Sequence, residues 1–464
     1  MSGIMMQLLG TAGGGDSYWF SLINTNPDQQ GSKHNRWASI DVDSDGNIYV
    51  GGAGNHTDVE SSHLYTQGLL AKYDKDGAEQ YFRMHKMDST SVGVEYRGIA
   101  VNSSGEVYAT GDGHQGNGGS LRFGIVKLNS NGTDSFKKGL GNNDGIGRAV
   151  QLDSSGNPIF AGRYNRHNEG YRSYSGVILK TNSSASLTWQ KAIDNGTHNV
   201  GDEAAEDVKV VGSNYYTFGY LGSQGGQKES GVVVKWDTSG NVVWSRNLGE
   251  GSSGDSFYIF NGAVDSSGNV YAAGFHNNNL AIIKYNSSGT LQWSKKASHN
   301  RLRGYTNAMD VDDDGNIYIL CQAYNDNATK NVVMLLKIDS SGSEIYARWF
   351  EHGYYNYEFR LKGLKVTSSA VHLAGMLHNS STKERPIIVK MPLDGSITGT
   401  YGPSNADSIK ISDVSFSYSN VNFSYTGYTV GIETPSTFFQ NASNSTHSID
   451  DVASTYVETV TELS

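Results

Sequence analysis

One repeated unit limits what this chain can fold into. Its clearest copy runs from Gly262 to Ser298, GAVDSSGNVYAAGFHNNNLAIIKYNSSGTLQWSKKAS. It reads as four short β-strands. The first ends at Val264, and the turn DSSGN leads to VYAAGF. The polar loop HNNN leads to AIIKY, and the turn NSSG leads to TLQWSKK. Branched and aromatic residues suit a pleated surface, while Gly, Asn, Asp and Ser supply the turns. Such a sheet has two apolar faces and must stack on copies of itself to cover them.

The copies are present. The residue opening each second strand is followed five positions later by Gly. The pairs are Asn47 and Gly52, Glu106 and Gly111, Asn157 and Gly162, Asn214 and Gly219, Asn269 and Gly274, Ala370 and Gly375, and Asn422 and Gly427. After Asn316 the Gly place is taken by Cys321, read as a small buried residue. Third strands close on Lys72, Lys127, Lys180, Lys235, Lys284, Lys337 and Lys390, with Gln440 in the eighth place. Each Lys is expected to lay its stem on apolar surface and its ammonium near the next turn.

Fourth strands carry an aromatic four residues after the turn: Tyr81, Phe136, Trp189, Trp244, Trp293 and Tyr346. The series breaks where Gly395 is followed by Gly399. The N-terminus holds a spare match, Gly15 with Trp19, without strands before it. The eighth unit (DVSFSY, NFSYTGY, TFFQN) has no fourth strand after it. These fragments are expected to complete each other. The predicted fold is an all-β, eight-bladed β-propeller closed by the N-terminal strand, with Tyr18 to Ile23 beside Phe438 and Phe439. Seven blades plus a C-terminal β appendage is the alternative. The predicted division is an apolar arm and Gly hinge over 1–15, a propeller over 16–445, and a tail over 446–464.

Composition narrows the partners. With 57 Gly, 6 Pro and only 18% charged residues, the chain has the profile of an extracellular all-β surface. A net charge of −10 without any Lys/Arg run argues against nucleic acid. No apolar stretch reaches the length of a membrane span, and the single Cys321 excludes an intrachain disulfide. The opening residues lack the basic region of a signal peptide.

Asp41, Asp43 and Asp45, and again Asp310, Asp312 and Asp314, spell D-x-D-x-D-G, like the opening of a calcium loop. The completing Glu is missing, since Gly52 and Cys321 stand there, so both are read as ordinary turns. No metal or cofactor is expected. No catalytic motif is visible in a fitting context. Binding is expected on the variable connections between second and third strands and between blades. The candidates are Arg163, Tyr164, Arg166, His167, Tyr171 and Tyr174 in one loop, and Tyr354, Tyr355 and Tyr357 in another. Ile4, Met5, Met6, Leu8 and Leu9 are too apolar to prefer water. They either fold back on their own propeller or anchor the protein in an assembly.

The phrases A-V-D-S-S-G-N-V-Y and K-Y-N-S-S-G, from Ala263 to Trp293, resemble the SBBP-type β-propeller repeat. The opening MSGIMMQLLGTAGGGDSYWFSLI resembles the start of propeller-repeat structural proteins of tailed bacteriophages, marine cyanophages especially. The resemblance implies a non-enzymatic virion protein of the tail or tail fibre, present in multiple copies. It would be assembled in the host cytoplasm with other virion proteins and would act outside, in assembly or on a host-surface glycan or protein. A bacterial extracellular binding propeller is the alternative, and a propeller enzyme a more distant one.

Overall fold

The computed structural model describes residues 3–8, 18–23, 35–56, 65–87, 94–114, 121–140, 145–165, 174–194, 202–223, 228–249, 256–277, 279–324, 331–353, 357–380, 383–402, 408–421, 424–425, 430–433, 449–451 and 461–462. Seven of the eight expected units fold into sheets of four antiparallel strands, a to d from the axis outward. In blade 5 these are Phe257–Val264, Val270–His276, Asn279–Tyr285 and Leu291–Ser298. Blades 1 to 6 span residues 35–87, 94–140, 145–194, 204–249, 257–298 and 302–352, and blade 7 takes its strands a to c from 359–392.

Seven apolar clusters hold the ring together, one at each junction between neighbouring blades. This is what two apolar faces per sheet require. Side chains reinforce the junctions. Trp189, Trp244 and Trp293 donate their indole N–H to Thr238, Ser287 and Ser340 carbonyls in the next blade's c–d turn, at 3.0, 3.2 and 3.2 Å. Lys235 and Lys284 donate to the same two carbonyls, Ser287 and Ser340, at 3.1 and 2.9 Å. The strand-c lysines are thus buried stems with anchored heads, not a free cationic ring.

The blade count is seven, not eight. Tyr18–Ile23 is strand d of blade 7, and Trp19 faces Lys390 across the ladder. That is the register in which Trp293 faces Lys284 and Trp244 faces Lys235. The N-terminal strand therefore does close the ring, but not in an eighth blade; Phe438, Phe439 and Gln440 lie outside the described residues. The described strands of residues 410–440, expected as that blade, instead lie on the outer rim. Ile409–Asp413 pairs with strand d of blade 6, Ser417–Asn420 with that of blade 5, Ser424–Tyr425 with blade 4, and Gly431–Glu433 with blade 3. Ile449–Asp451 then pairs with blade 1, and Thr461–Glu462 with Gly3–Leu8 at the edge of blade 7. Alternating rim strands carry the same period-two pattern as a blade, which is why they imitate one.

Both expected terminal segments contribute to this rim. Within 1–15, Gly3–Leu8 forms a hairpin with Tyr18–Ile23, with Ile4 opposite Leu22, Met5 opposite Ser21, Met6 opposite Phe20 and Leu8 opposite Tyr18. Leu9 lies outside the described residues. The belt is pinned by side chains as well: Tyr418 donates to Glu344 at 2.6 Å, and Arg348 pairs with Asp413 at 2.7 Å. Unpaired outer edges invite association with other chains, and the belt covers them on six blades, blade 2 excepted among the described residues.

Candidate binding site at the channel mouth

The first strands of all seven blades line an axial cavity of about 720 Å³. This falls within the roughly 300–1,000 Å³ usual for small-molecule sites. Every one of these strands carries a β-bulge at the same place, two residues opposing one on strand b. A bulge re-aims a side chain. The seven extra residues are Ala38, Arg97, Arg148, Glu206, Phe260, Asn307 and Lys362, and all of them line the cavity. They sit near the start of strand a, at the end of the channel shared by the b–c and d–a loops.

The ring is two-sided. From blades 7, 1, 2 and 3 come cations in a network of carboxylates. Arg97 donates to Asp112 at 2.6 Å and to Glu95 at 3.0 Å, while Arg36 pairs with Glu95 at 3.0 Å. Arg148 pairs with Glu206 at 3.3 Å and Arg360 with Glu358 at 2.7 Å. Burial works against the charge of Arg97, and Asp112 and Glu95 more than offset it. Lys362 differs: among the described residues it makes no hydrogen bond or ion pair. Its side chain is exposed to the water of the channel, with the strands of the ring crowded around it. That crowding removes part of its hydration, and with Arg360 and Arg97 adding repulsion it brings the pKa down to about 8.

Blades 4, 5 and 6 supply the other side, an aromatic cluster. Tyr258 stacks on Phe260 at 5.9 Å and meets Tyr220 edge-on at 5.0 Å. Phe275 stacks on Tyr305 at 5.0 Å, and Phe260 lies 5.7 Å from Tyr305. Tyr305 remains 42% exposed, which leaves a ring face free at the mouth. Such geometry favours flat, partly apolar ligands.

The sequence candidates fare differently. Arg163 lies over the Tyr174 ring at 4.6 Å, whereas Tyr164 is buried in the cluster between blades 2 and 3. Tyr357 is half-buried and meets His352 edge-on at 5.3 Å. Arg166, His167, Tyr171, Tyr354 and Tyr355 lie outside the described residues. Among the described residues, the structure brings Arg163 together with Tyr174. Sequence reading missed the bulge residues and the aromatic wall altogether.

The D-x-D-x-D-G carboxylates have separate tasks. Asp41 accepts from the Val101 N–H of blade 2 at 2.9 Å, and Asp310 from the Val366 N–H of blade 7 at 2.8 Å, locking neighbouring blades. Asp43 accepts from Asn47 and from the Tyr49 hydroxyl, and Asp312 likewise from Asn316 and Tyr318, shaping their own turns. Asp45 and Asp314 are exposed. No group of three or more metal-ligating side chains converges among the described residues. Cys321 is fully buried, and burial pushes its thiol up, away from the reactive thiolate.

No protein-family model matches the chain, and no curated protein matches it. Solved structures do. The β-propeller domain of the Trilobed protease from Pyrococcus furiosus is 9% identical, with a TM-score of 0.44 over 77% of this chain and 94% of that one. A Dyadobacter fermentans protein of unknown function is 9% identical, TM-score 0.42, over 78% and 96%. The acylaminoacyl peptidase of Pyrococcus horikoshii is 8% identical, TM-score 0.43, over 77% of this chain but 52% of its own length. These likenesses concern fold alone; the seven sheets themselves make this chain a β-propeller.

Proposed function

We propose that this protein is a non-enzymatic structural component of a bacteriophage particle, in the tail or tail fibre, whose channel-mouth face contacts a host-surface glycan or protein. The reading draws on the likeness of the repeat to SBBP-type units and of the opening residues to phage propeller proteins. One structural observation supports it most. Among the described residues, rim strands of the same chain cover the outer edges of six of the seven blades, as suits a scaffold that must persist outside a cell without joining stray strands. The mouth fits binding better than chemistry. Its arginines are held by carboxylates and its rings by one another. The protein would occur in several copies, alongside other virion proteins, assembled in the host cytoplasm and acting extracellularly.

Mass spectrometry of purified phage particles tests this. The protein should appear in stoichiometric amounts in the tail fraction, and antibodies against it should block adsorption. Absence from particles, with the protein found on a bacterial surface, would replace this reading with that of a cellular binding propeller.

A further inference from the structure

We infer that the channel mouth binds a carboxylated saccharide, with the acid group beside Lys362 and the sugar ring against the aromatic wall. This deepens the reading of that face as a recognition surface but does not depend on the protein residing in a virion.

The place for the anion is set by the bulge ring. Lys362 of blade 7 and Arg97 of blade 2 flank Ala38 of blade 1, and all three line the cavity. Ala38 is the smallest of the seven bulge residues, so a recess separates two cations. Arg97 is already committed to Glu95 and Asp112. Among the described residues that line the cavity, Lys362 is the cation without a hydrogen bond or ion pair, so no direct contact neutralises its charge. A single negative charge matches it. A phosphate dianion or a polyanion would bring surplus charge beside Glu95, which lines the same wall. The charged groups facing Lys362 are Arg360 on its own strand and Arg97, Arg36 and Glu95 on the neighbouring blades.

The aromatic wall selects the rest of the ligand. Phe260 and Tyr305 line the cavity from blades 5 and 6, on the side of blade 7 away from Ala38. The C–H face of a pyranose stacks on such rings, and its hydroxyls need amides. Asn307 and Gln322 line the cavity there; Asn307 donates its amide N–H to the Leu361 carbonyl at 2.9 Å, which leaves its side-chain oxygen as acceptor.

Titration calorimetry with the monoanion methyl galacturonoside (free acid), and with neutral methyl galactoside as control, tests the inference on the full chain. The acid should bind at least ~10-fold more tightly than the neutral sugar, as expected for a lost charge-assisted contact of ~1.4 kcal/mol or more. Lys362→Met should abolish that preference while leaving weak binding of both sugars. Tyr305→Ala should weaken both. At pH 8, repeated in buffers of different ionisation enthalpy, binding of the acid should take up protons in the native protein and none in Lys362→Met, because the bound carboxylate favours the charged ammonium. Neither substitution removes a buried contact of the fold, and circular dichroism checks this. Equal affinity for both sugars, a preference that survives Lys362→Met, no binding of either sugar, or tighter binding of inorganic phosphate would each overturn the inference. Particle proteomics reads the virion assignment separately, so the two can fail independently.

Discussion

Trp244 of blade 4 lies beneath Gly289 of blade 5: a Cβ on that glycine would stand 2.8 Å from the indole Cδ2. Gly289 has a φ of 78°, and its carbonyl accepts from Arg246, two residues past the Trp, at 2.6 Å. The same arrangement joins Gly132 to Tyr81 and Arg83, and Gly395 to Tyr346 and Arg348. The turn glycine is thus required twice, by backbone conformation and by the ring of the previous blade. Gly156 has a φ of 74° with nothing within 4 Å of a Cβ. Gly156→Ala should cost only the left-handed conformation, about 1 kcal/mol. Gly289→Ala should cost about 2–4 kcal/mol, because overpacking adds to it. Urea unfolding of both variants reads the difference, and equal costs would show that the indole yields freely.

Ring closure by Trp19 gives a second expectation. The side chain is 1% exposed in the cluster joining blades 7 and 1. Trp19→Ala should destabilise the protein by about 3–5 kcal/mol. Ser21 and Ile388 are direct partners across the ladder, so cysteines placed at both should oxidise to a disulfide, detected by peptide mapping. Failure to cross-link would count against the seven-bladed closure.

For the two Asp-rich turns, the carboxylates should prove unequal. Asp312 accepts from the backbone of Asp314 and Asn316 and from the side chains of Asn316 and Tyr318. Asp312→Ala should cost about 2–4 kcal/mol, whereas Asp314→Ala should stay within about 0.5 kcal/mol. Adding calcium or EDTA should leave the native melting temperature unchanged. A calcium-dependent rise that either substitution removes would reinstate the metal reading.

Acid stability should reflect two opposed buried groups. His372 is 3% exposed; burial, with Lys390 and Lys365 nearby, lowers its pKa to about 3. As pH falls below about 6.5, the unfolded chain takes a proton that the folded one refuses, so stability falls with acid by about 1.4 kcal/mol per pH unit. Burial, with Asp194 and Asp202, raises Glu203 to about 9. The folded chain keeps that proton while the unfolded one loses it above about 4.5, so stability falls as pH rises. Between pH 5 and 6 the two slopes oppose. His372→Gln should therefore lose stability as pH rises through that interval, and Glu203→Gln should gain it, as read from denaturant midpoints.

The blade repeat was legible because it obeys rules that every copy shares: alternation, turn glycines, and the pairing of strand-c Lys with strand-d aromatic. Even the closure was present in the letters. Gly399 breaks the series because the chain leaves blade 7 there for the rim, and Trp19 is the aromatic that Lys390 lacks. The error lay in giving Trp19 to a further unit, since rim strands alternate just as blade strands do. The channel mouth was illegible for the opposite reason. Ala38, Arg97, Arg148, Glu206, Phe260, Asn307 and Lys362 share a position and no chemistry. A search for repetition passes over such a column. Aligning the first strands on the glycine of strand b, and reading where they differ most, would have exposed it.

The pairing of Trp19 with Lys390 and the belt beyond it fix an order of events during synthesis. Each blade is built from neighbouring strands and can form as it leaves the ribosome. Tyr18–Ile23 precedes every other blade strand, yet its partner strand, Lys383–Pro392, is the last of the strands a to c to appear. Until then the nascent ring is open at blade 7, with the apolar faces of Trp19 and Phe20 awaiting a partner. The rim strands over 409–433 follow later still in the chain, onto outer edges of blades 6, 5, 4 and 3 that precede them in the sequence. Thr461–Glu462 lies beside Gly3–Leu8, so this rim strand fastens the hairpin that seals the ring.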